Sequence, residues 1–424
     1  MSIRFFNARI LPLNTDDNII EGELWTKDGK IAYLGNGESV PEKPAFDREI
    51  DCHGNLLMPG FKNAHTHSAM TFLRSYADDL PLQEWLFDRI FPMEAKLTPD
   101  DNYWLTKLAI LEYLTGGTTS CFDMYFFPEG VAPAAAEMGY RFVFCGSISG
   151  EPSNITRLQN YYETYNKYNP LISYKLGFHA EYTTELETMK EVAALSNAFS
   201  EPVFVHNSET EKEVRQCVEK YGKTPTVLFD SLGIYDNGGG GFHCVYMSDD
   251  DLRIFKKKKL WAVTNPGSNT KLASGIAPIC KMQEMGINLA IGTDGPASNN
   301  CLDMFREMFL VTGLQKIVNK DASACDAISV LRMAACGGAK AMGLDNCDCL
   351  AEGKNADLIM IDLHQPNMQP LNNIAKNIVY SGSKQNVKLT MVDGKILYEN
   401  GEFFVGESAD KIYEKANEII NRMR

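Results

Sequence analysis

From Met58 onward the chain alternates short β-prone runs with helical stretches, and this alternation narrows its fold more than any other feature. The strand-like runs are the segment leading to His65, then residues 118–124, 142–144, 176–178, 202–205, 241–245, 261–263 and 287–291. One unit shows why the stretches between them are helices. Thr98 offers a cap, Pro99 suits the first helical position, and Asp101 places an acid at the third. Leu105, Leu108, Ala109 and Leu111 then recur at helical spacing, and Gly116-Gly117 ends the helix. Eight strands separated by helices form a parallel sheet most economically as a (β/α)8 barrel.

The two ends of the chain read differently. Residues 1–57 hold short strands punctuated by Asp28-Gly29 and Asn36-Gly37, and residues 350–424 return to strands around Asp393-Gly394 before an amphipathic helix from about Ser408. The expected organisation is a barrel over 58–349 and a small composite β-sandwich built from 1–57 and 350–424. The length of 424 residues fits that sum.

Charge removes several function classes. Lys plus Arg is 41 and Asp plus Glu is 55, a formal charge of −14 that repels nucleic acid and anionic membranes. The one basic run, Lys256 to Lys259, follows Ser248-Asp249-Asp250-Asp251 and reads as a solvated helix whose charges suit its dipole. No 18-residue apolar stretch or signal-peptide core is present, so neither a transmembrane helix nor a leader is expected. The 11 cysteines show no disulfide or zinc-thiolate spacing, and Cys347-Asp348-Cys349 reads as a loop with free thiols. A reducing cytoplasm is the expected compartment.

Five of the seven histidines carry the chemistry. His65 and His67 are two apart in an extended segment, so both imidazoles face one way and can reach one ion. His179, His206, His243 and Asp294 fall at or near the ends of later strand runs, where a barrel builds its active site. Histidine and carboxylate donors together suit Zn²⁺, with Fe²⁺ and Mn²⁺ as alternatives. Such an ion lowers the pKa of water toward ~7. Glu209, three residues past His206, is placed to move that water's proton to a leaving nitrogen; a surface glutamate is the alternative, since Glu211 and Glu213 are close by.

The stretch Pro59-Gly60-Phe61-Lys62-Asn63-Ala64-His65-Thr66-His67 resembles the opening metal motif of the amidohydrolase superfamily. Residues 77–86, Gly116-Gly117-Thr118-Thr119, Gly275-Ile276-Ala277-Pro278, Gly292-Thr293-Asp294-Gly295 and Asn355-Ala356-Asp357-Leu358 resemble one branch of it. That branch holds 5-methylthioadenosine/S-adenosylhomocysteine deaminases and triazine hydrolases. The resemblance implies that His65, His67, His206 and Asp294 bind one divalent metal. It implies that Glu209 shuttles protons and contacts substrate, that His243 contacts the attacking water or polarises the substrate, and that Asp294 doubles as a base. No lysine stands at a mid-barrel strand end to bridge a second metal. Homo-oligomers are a further family-level expectation.

By the same resemblance, Glu94 holds ribose hydroxyls, Arg157 meets the carboxylate of an amino-acid tail, and His179 contacts the nucleoside. Three positions depart from the family. A second arginine expected near Gly146 is missing, Glu181 stands where proline is usual, and Thr264 stands where histidine is common. The leading expectation is deamination of an adenine nucleoside of the 5-methylthioadenosine, S-adenosylhomocysteine or adenosine type. The same chemistry on a guanine-like, pterin or triazine ring is the second, motivated by Glu181 and Thr264. A non-catalytic metal-binding barrel is the third.

Overall fold

The computed structural model describes residues 1–15, 17–37, 43–148 and 154–424. Strands Phe61–Thr66, Thr118–Asp123, Arg141–Cys145, Ile172–Gly177, Val203–Asn207, Gly239–His243, Trp261–Thr264 and Asn288–Ile291 pair in sequence order within one sheet. All seven pairings between neighbours are parallel. Parallel neighbours need a long crossover, and helices fill that role here. The eighth strand returns to the first: the Asp294 amide donates to the His65 carbonyl at 3.0 Å, and the Thr293 amide donates to Asn63 Oδ1 at 2.9 Å. Gly292 permits that approach, because a Cβ there would sit 2.6 Å from the His65 nitrogen. The result is a nearly closed eight-stranded barrel, the architecture expected from the alternation.

Helix Pro99–Thr115 starts as its sequence dictates. The Thr98 hydroxyl accepts from the Asp101 amide while Asp101 accepts from the Thr98 amide. Helix Asp249–Lys258 has the same reciprocal cap at Ser248, with three aspartates in its first turn and lysines in its last. The basic run is therefore a helix end.

Inside the barrel, Phe122, Phe204 and Phe242 are buried and pack with ring centroids 4.9–6.0 Å apart. Each such ring contributes roughly 1.5–3 kcal/mol by leaving water. Phe242 stacks directly under His65, at 3.8 Å between centroids and 18° between planes. This aromatic layer is the floor on which the functional residues stand.

Strands from both chain ends join a second, nine-stranded mixed sheet. Ser2–Ile10 pairs antiparallel with Ile20–Lys27 and parallel with Leu56–Pro59, which pairs antiparallel with Leu358–Ile361. Asp28-Gly29 and Asp393-Gly394 have positive φ at both residues, the hairpin geometry their sequences signal. Only Gly60 separates the outer strand Leu56–Pro59 from the first barrel strand; a Cβ on it would lie 2.2 Å from Thr119 Cγ2. Asp357 ties the sheet to the barrel through a buried two-point pair with Arg141, at 2.7 and 3.0 Å. The sequence Asn355-Ala356-Asp357-Leu358 thus marks a structural joint. Cys347 and Cys349 are free and buried. No helix among the described residues is long and apolar enough to cross a membrane.

Candidate metal centre and active site

The carboxyl ends of the barrel strands bring the histidines together. His65 lies in the first strand, His206 in the fifth, His243 ends the sixth, and Asp294 follows the eighth. One donor atom from each of these four residues lies within 4.8 Å of every other. His67, just past the first strand, places Nε2 3.1 Å from Asp294 Oδ1, and His65 Nε2 is 3.5 Å from the same oxygen. The His65 and His67 rings are 4.9 Å apart, as two side chains on one face of an extended segment require.

The surroundings of these rings fix which nitrogen faces the centre. His67 Nδ1 donates to the Met124 carbonyl at 2.6 Å, His206 Nδ1 to the His179 carbonyl at 2.9 Å, and His243 Nδ1 to Asn269 Oδ1 at 2.7 Å. With Nδ1 engaged in this way, each of the three rings turns Nε2 inward, the arrangement that orients metal-binding histidines. Burial lowers the pKa of His67, but the adjacent Asp294 carboxylate outweighs it and raises the ring to about 9, a proton that a bound cation would displace. Burial holds His65 neutral, down to about 3. Both His65 ring nitrogens and Asp294 Oδ1 are buried without a hydrogen-bond partner. Leaving such an atom unpaired costs about 1–3 kcal/mol, and a divalent cation would satisfy Asp294 Oδ1 and one of the His65 nitrogens. The donor set, several imidazole nitrogens and one carboxylate, fits an ion of the zinc type.

Asp294 is held for this role. Its second oxygen accepts from Ser268 Oγ at 2.7 Å and Ser298 Oγ at 2.5 Å, which leaves Oδ1 for the centre. Burial pushes its carboxyl up, but the close approach of the His65 and His67 rings outweighs that and holds it well below the usual carboxylate range. Asp294 and His243 both adopt left-handed backbone, φ 59° and 70°. Backbone held in that region is costly for residues other than glycine and recurs at functional sites.

Glu209 follows His206 on the loop after the fifth strand and points at the same centre. Ser274 Oγ donates to Glu209 Oε1 at 3.0 Å, and His243 Nδ1 lies 3.9 Å from that oxygen. Burial raises its carboxyl above the ordinary value, suiting a group that must both take and return a proton.

These groups open into one cavity. Its lining includes His67, Glu94, His179, His206, Glu209, His243 and Asp294, so eight of the nine expected site residues lie at the cavity wall or in the ligand cluster behind it. Arg157 does not: it is exposed on helix Asn154–Tyr165, outside the cavity wall. Glu94 is buried and accepts from the Tyr125 hydroxyl at 2.6 Å; burial pushes its carboxyl up to about 7. His179 is turned by a 2.8 Å bond between Nδ1 and Thr183 Oγ1. Trp85, Leu86, Phe91, Tyr125 and Phe126 make the apolar wall. The residues 77–86 that resemble the family motif therefore close the cavity rather than ligate.

The two unusual positions lie elsewhere. Glu181 is buried but outside the cavity wall, with Glu213, Lys220 and Cys217 as its charged and titratable surroundings. Thr264 borders a separate pocket with Asn269 and Gln315. Sequence reasoning missed Ser268, Asn269, Ser274 and Ser298, the residues that hold Asp294, His243 and Glu209. The available signal was the run of polar residues after Asn265-Pro266, which holds Ser268, Asn269 and Ser274; Ser298 lies in a separate segment after Asp294.

Known proteins share this arrangement of the chain. The Amidohydrolase family profile matches residues 56–397. The 5-methylthioadenosine/S-adenosylhomocysteine deaminases of Thermoanaerobacter pseudethanolicus and Syntrophomonas wolfei are 37% and 39% identical to it, over 100% of this chain and 100% of each relative. A zinc-bound adenosine deaminase from Xanthomonas campestris superposes with a TM-score of 0.94 at 32% identity, covering 100% of this chain and 98% of that one. A guanine deaminase from C. acetobutylicum shares the fold at a TM-score of 0.85 and 19% identity, over 93% of this chain and 100% of that one. By full-length identity, profile match and barrel alike, the chain belongs to the amidohydrolase family.

Proposed function

We propose that this chain is a metal-dependent aminohydrolase that replaces the exocyclic amino group of an adenine nucleoside with oxygen and releases ammonia. The observation that carries the reading is Glu94. A buried carboxyl stands in the same cavity as the ligand cluster, fixed by Tyr125 and facing space for a substrate. An ionised carboxylate there accepts the hydroxyls of a ribose, whereas a bare heterocycle leaves it unpaired. The apolar wall of Trp85, Phe91 and Phe126 supplies surfaces for the base and for an uncharged substituent. The deaminases named above, similar over the full chain, support the same substrate class.

His65, His67, His206 and Asp294 would hold one divalent metal, most simply Zn²⁺. When bound, that ion supplies a Lewis acid that brings the pKa of water toward ~7. The chain's residues do the rest. Glu209, kept protonatable by burial, takes a proton from the attacking water and delivers it to the leaving nitrogen. His243, oriented by Asn269, lies on the face from which water attacks and stabilises the developing charge. Asp294, held as a carboxylate, serves as the base for the second proton of the water, which passes on to the ring nitrogen that carries hydrogen in the product while the proton from Glu209 leaves with ammonia. His179, with Nδ1 engaged by Thr183, offers Nε2 to the base or sugar. Arg157, exposed on its helix, would reach only a substituent that extends out of the cavity.

The test is ammonia release from adenosine, 5-methylthioadenosine and S-adenosylhomocysteine by metal-analysed protein, beside guanine, pterin and triazine substrates. Preference for an adenine nucleoside is expected. Turnover of a free heterocycle alone would replace this reading with the second one, and no turnover of any ring would favour a binding role.

A further inference from the structure

The carboxylate of Glu213 sits in an unusual place. It is buried, two turns of chain beyond His206, and it grips three consecutive backbone amides. Oε1 accepts from the Ser208 amide at 2.7 Å; Oε2 accepts from the Glu209 amide at 2.8 Å and the Thr210 amide at 3.3 Å. Successive amides that converge on one point form an anion nest, and here the chain's own side chain fills it. The nest exists because Ser208 turns back in the left-handed region, φ 54°. That turn is pinned from its other side too, since the Ser208 carbonyl accepts from the amides of Val245 and Tyr246, just past His243. Ser208 Oγ donates to Asn207 Oδ1 at 2.8 Å, and Asn207 Nδ2 donates to Tyr235 and Thr226.

A helix cap needs less than this. In the reciprocal cap of helix Glu211–Tyr221, Glu213 need only accept from the Thr210 amide, which is the longest of its three bonds. The two shorter bonds go to the loop that carries the Glu209 side chain toward Ser274 and His243. The carboxylate is therefore spent chiefly on the direction in which Glu209 leaves the strand.

We propose that Glu213 is a positioning residue for Glu209, holding the proton-transfer group at its working angle through the Ser208 and Glu209 amides. The inference rests on the reading of Glu209 as the proton shuttle. Glu213→Gln replaces one acceptor oxygen with an amide that opposes an N–H, so the loop loses at least one charge-assisted bond. Misplacing a catalytic group by about 1 Å costs on the order of 100-fold.

The experiment compares metal-loaded wild type, Glu213→Gln, Glu213→Asp and Thr210→Ala by ammonia release, metal content and thermal melting. Thr210→Ala removes the hydroxyl half of the same cap and leaves the two loop bonds intact. For Glu213→Gln we expect kcat down roughly 10- to 100-fold with KM within about threefold and full metal content. Thr210→Ala should melt lower than wild type and keep its kcat. If Glu213→Gln does not fold, the shorter Glu213→Asp carboxylate should give a folded enzyme with reduced kcat and unchanged KM. Full kcat in Glu213→Gln, or in Glu213→Asp where only that variant folds, would overturn the proposal, as would equal kcat losses in Thr210→Ala and the Glu213 variants. A wild type that deaminates no adenine nucleoside would instead refute the proposed function, which separates the two failures.

Discussion

Replacing Glu94 with glutamine should make the protein more stable and the enzyme worse, and the size of the first effect follows from burial. Glu94 is 8% exposed, and burial is the largest influence on its carboxyl; the Tyr125 hydroxyl and His67 work against it. The balance raises its pKa from 4.5 to about 7. The folded state therefore holds a proton that the unfolded chain has already released between those two values. Stability from this group is intact below pH 4.5 and is lost as pH rises to about 7. A shift of this size corresponds to about 3 kcal/mol at pH 8, at 1.36 kcal/mol per pKa unit. A cation beside His67 attracts the carboxylate as His67 does, so about 3 kcal/mol is a ceiling. Glu94→Gln keeps an oxygen for the Tyr125 hydroxyl and removes the buried charge. Metal-loaded wild type and variant should be melted at pH 5 and pH 8. The variant should gain melting temperature at pH 8 and most of that gain should vanish at pH 5. Its kcat/KM for an adenine nucleoside should fall about 10- to 100-fold, the worth of a charged hydrogen bond to the ribose. An equal gain at both pH values would refute the burial argument. An unchanged kcat/KM would refute the role given to Glu94.

Other outcomes follow from the same geometry. Chelation should lower the melting temperature and Zn²⁺ should restore it, because an ion that binds only the folded protein stabilises by mass action; a melt indifferent to chelator would contradict a metal site among His65, His206 and Asp294. Asn269→Ala should reduce kcat about 10- to 100-fold at unchanged metal content, since it frees His243 Nδ1, and steady-state kinetics would read this directly. Among nucleosides, an uncharged thioether at the 5′ position should be preferred over one ending in a carboxylate. No lysine or arginine lines the described cavity wall while Glu94 and Glu209 do; equal kcat/KM values for the two would contradict this.

Local features of the site were legible in the sequence, and distant ones were not. His65 and His67 share a face because extended chain has a period of two, and strand ends converge because a barrel places them on one rim. The caps at Thr98 and Ser248 and the turns at Asp28-Gly29 and Asp393-Gly394 are also local, and each takes the form its residues dictate. The bonds that aim the site are different. Met124 reaches His67 from 57 residues away, Ser274 reaches Glu209 from 65, and Asn269 reaches His243 from 26. No periodicity encodes such partners; only closure of the barrel brings them together. Glu181 and Thr264 teach the converse. Each departs from a family pattern and invites a reading as substrate specificity, yet each lies outside the cavity wall, so a change in sequence near a motif is no measure of distance from the substrate.

The central claim is that Glu209, beside a cluster that would hold one divalent metal, moves the protons in the deamination of an adenine nucleoside. The most direct measurement is ammonia release from 5-methylthioadenosine by wild type and Glu209→Gln, each with its metal content determined. The account predicts steady release by wild type and a loss of roughly 100-fold or more in the variant at the same metal content. Equal release by both, or release from neither 5-methylthioadenosine nor any other adenine nucleoside by fully metallated wild type, would contradict it.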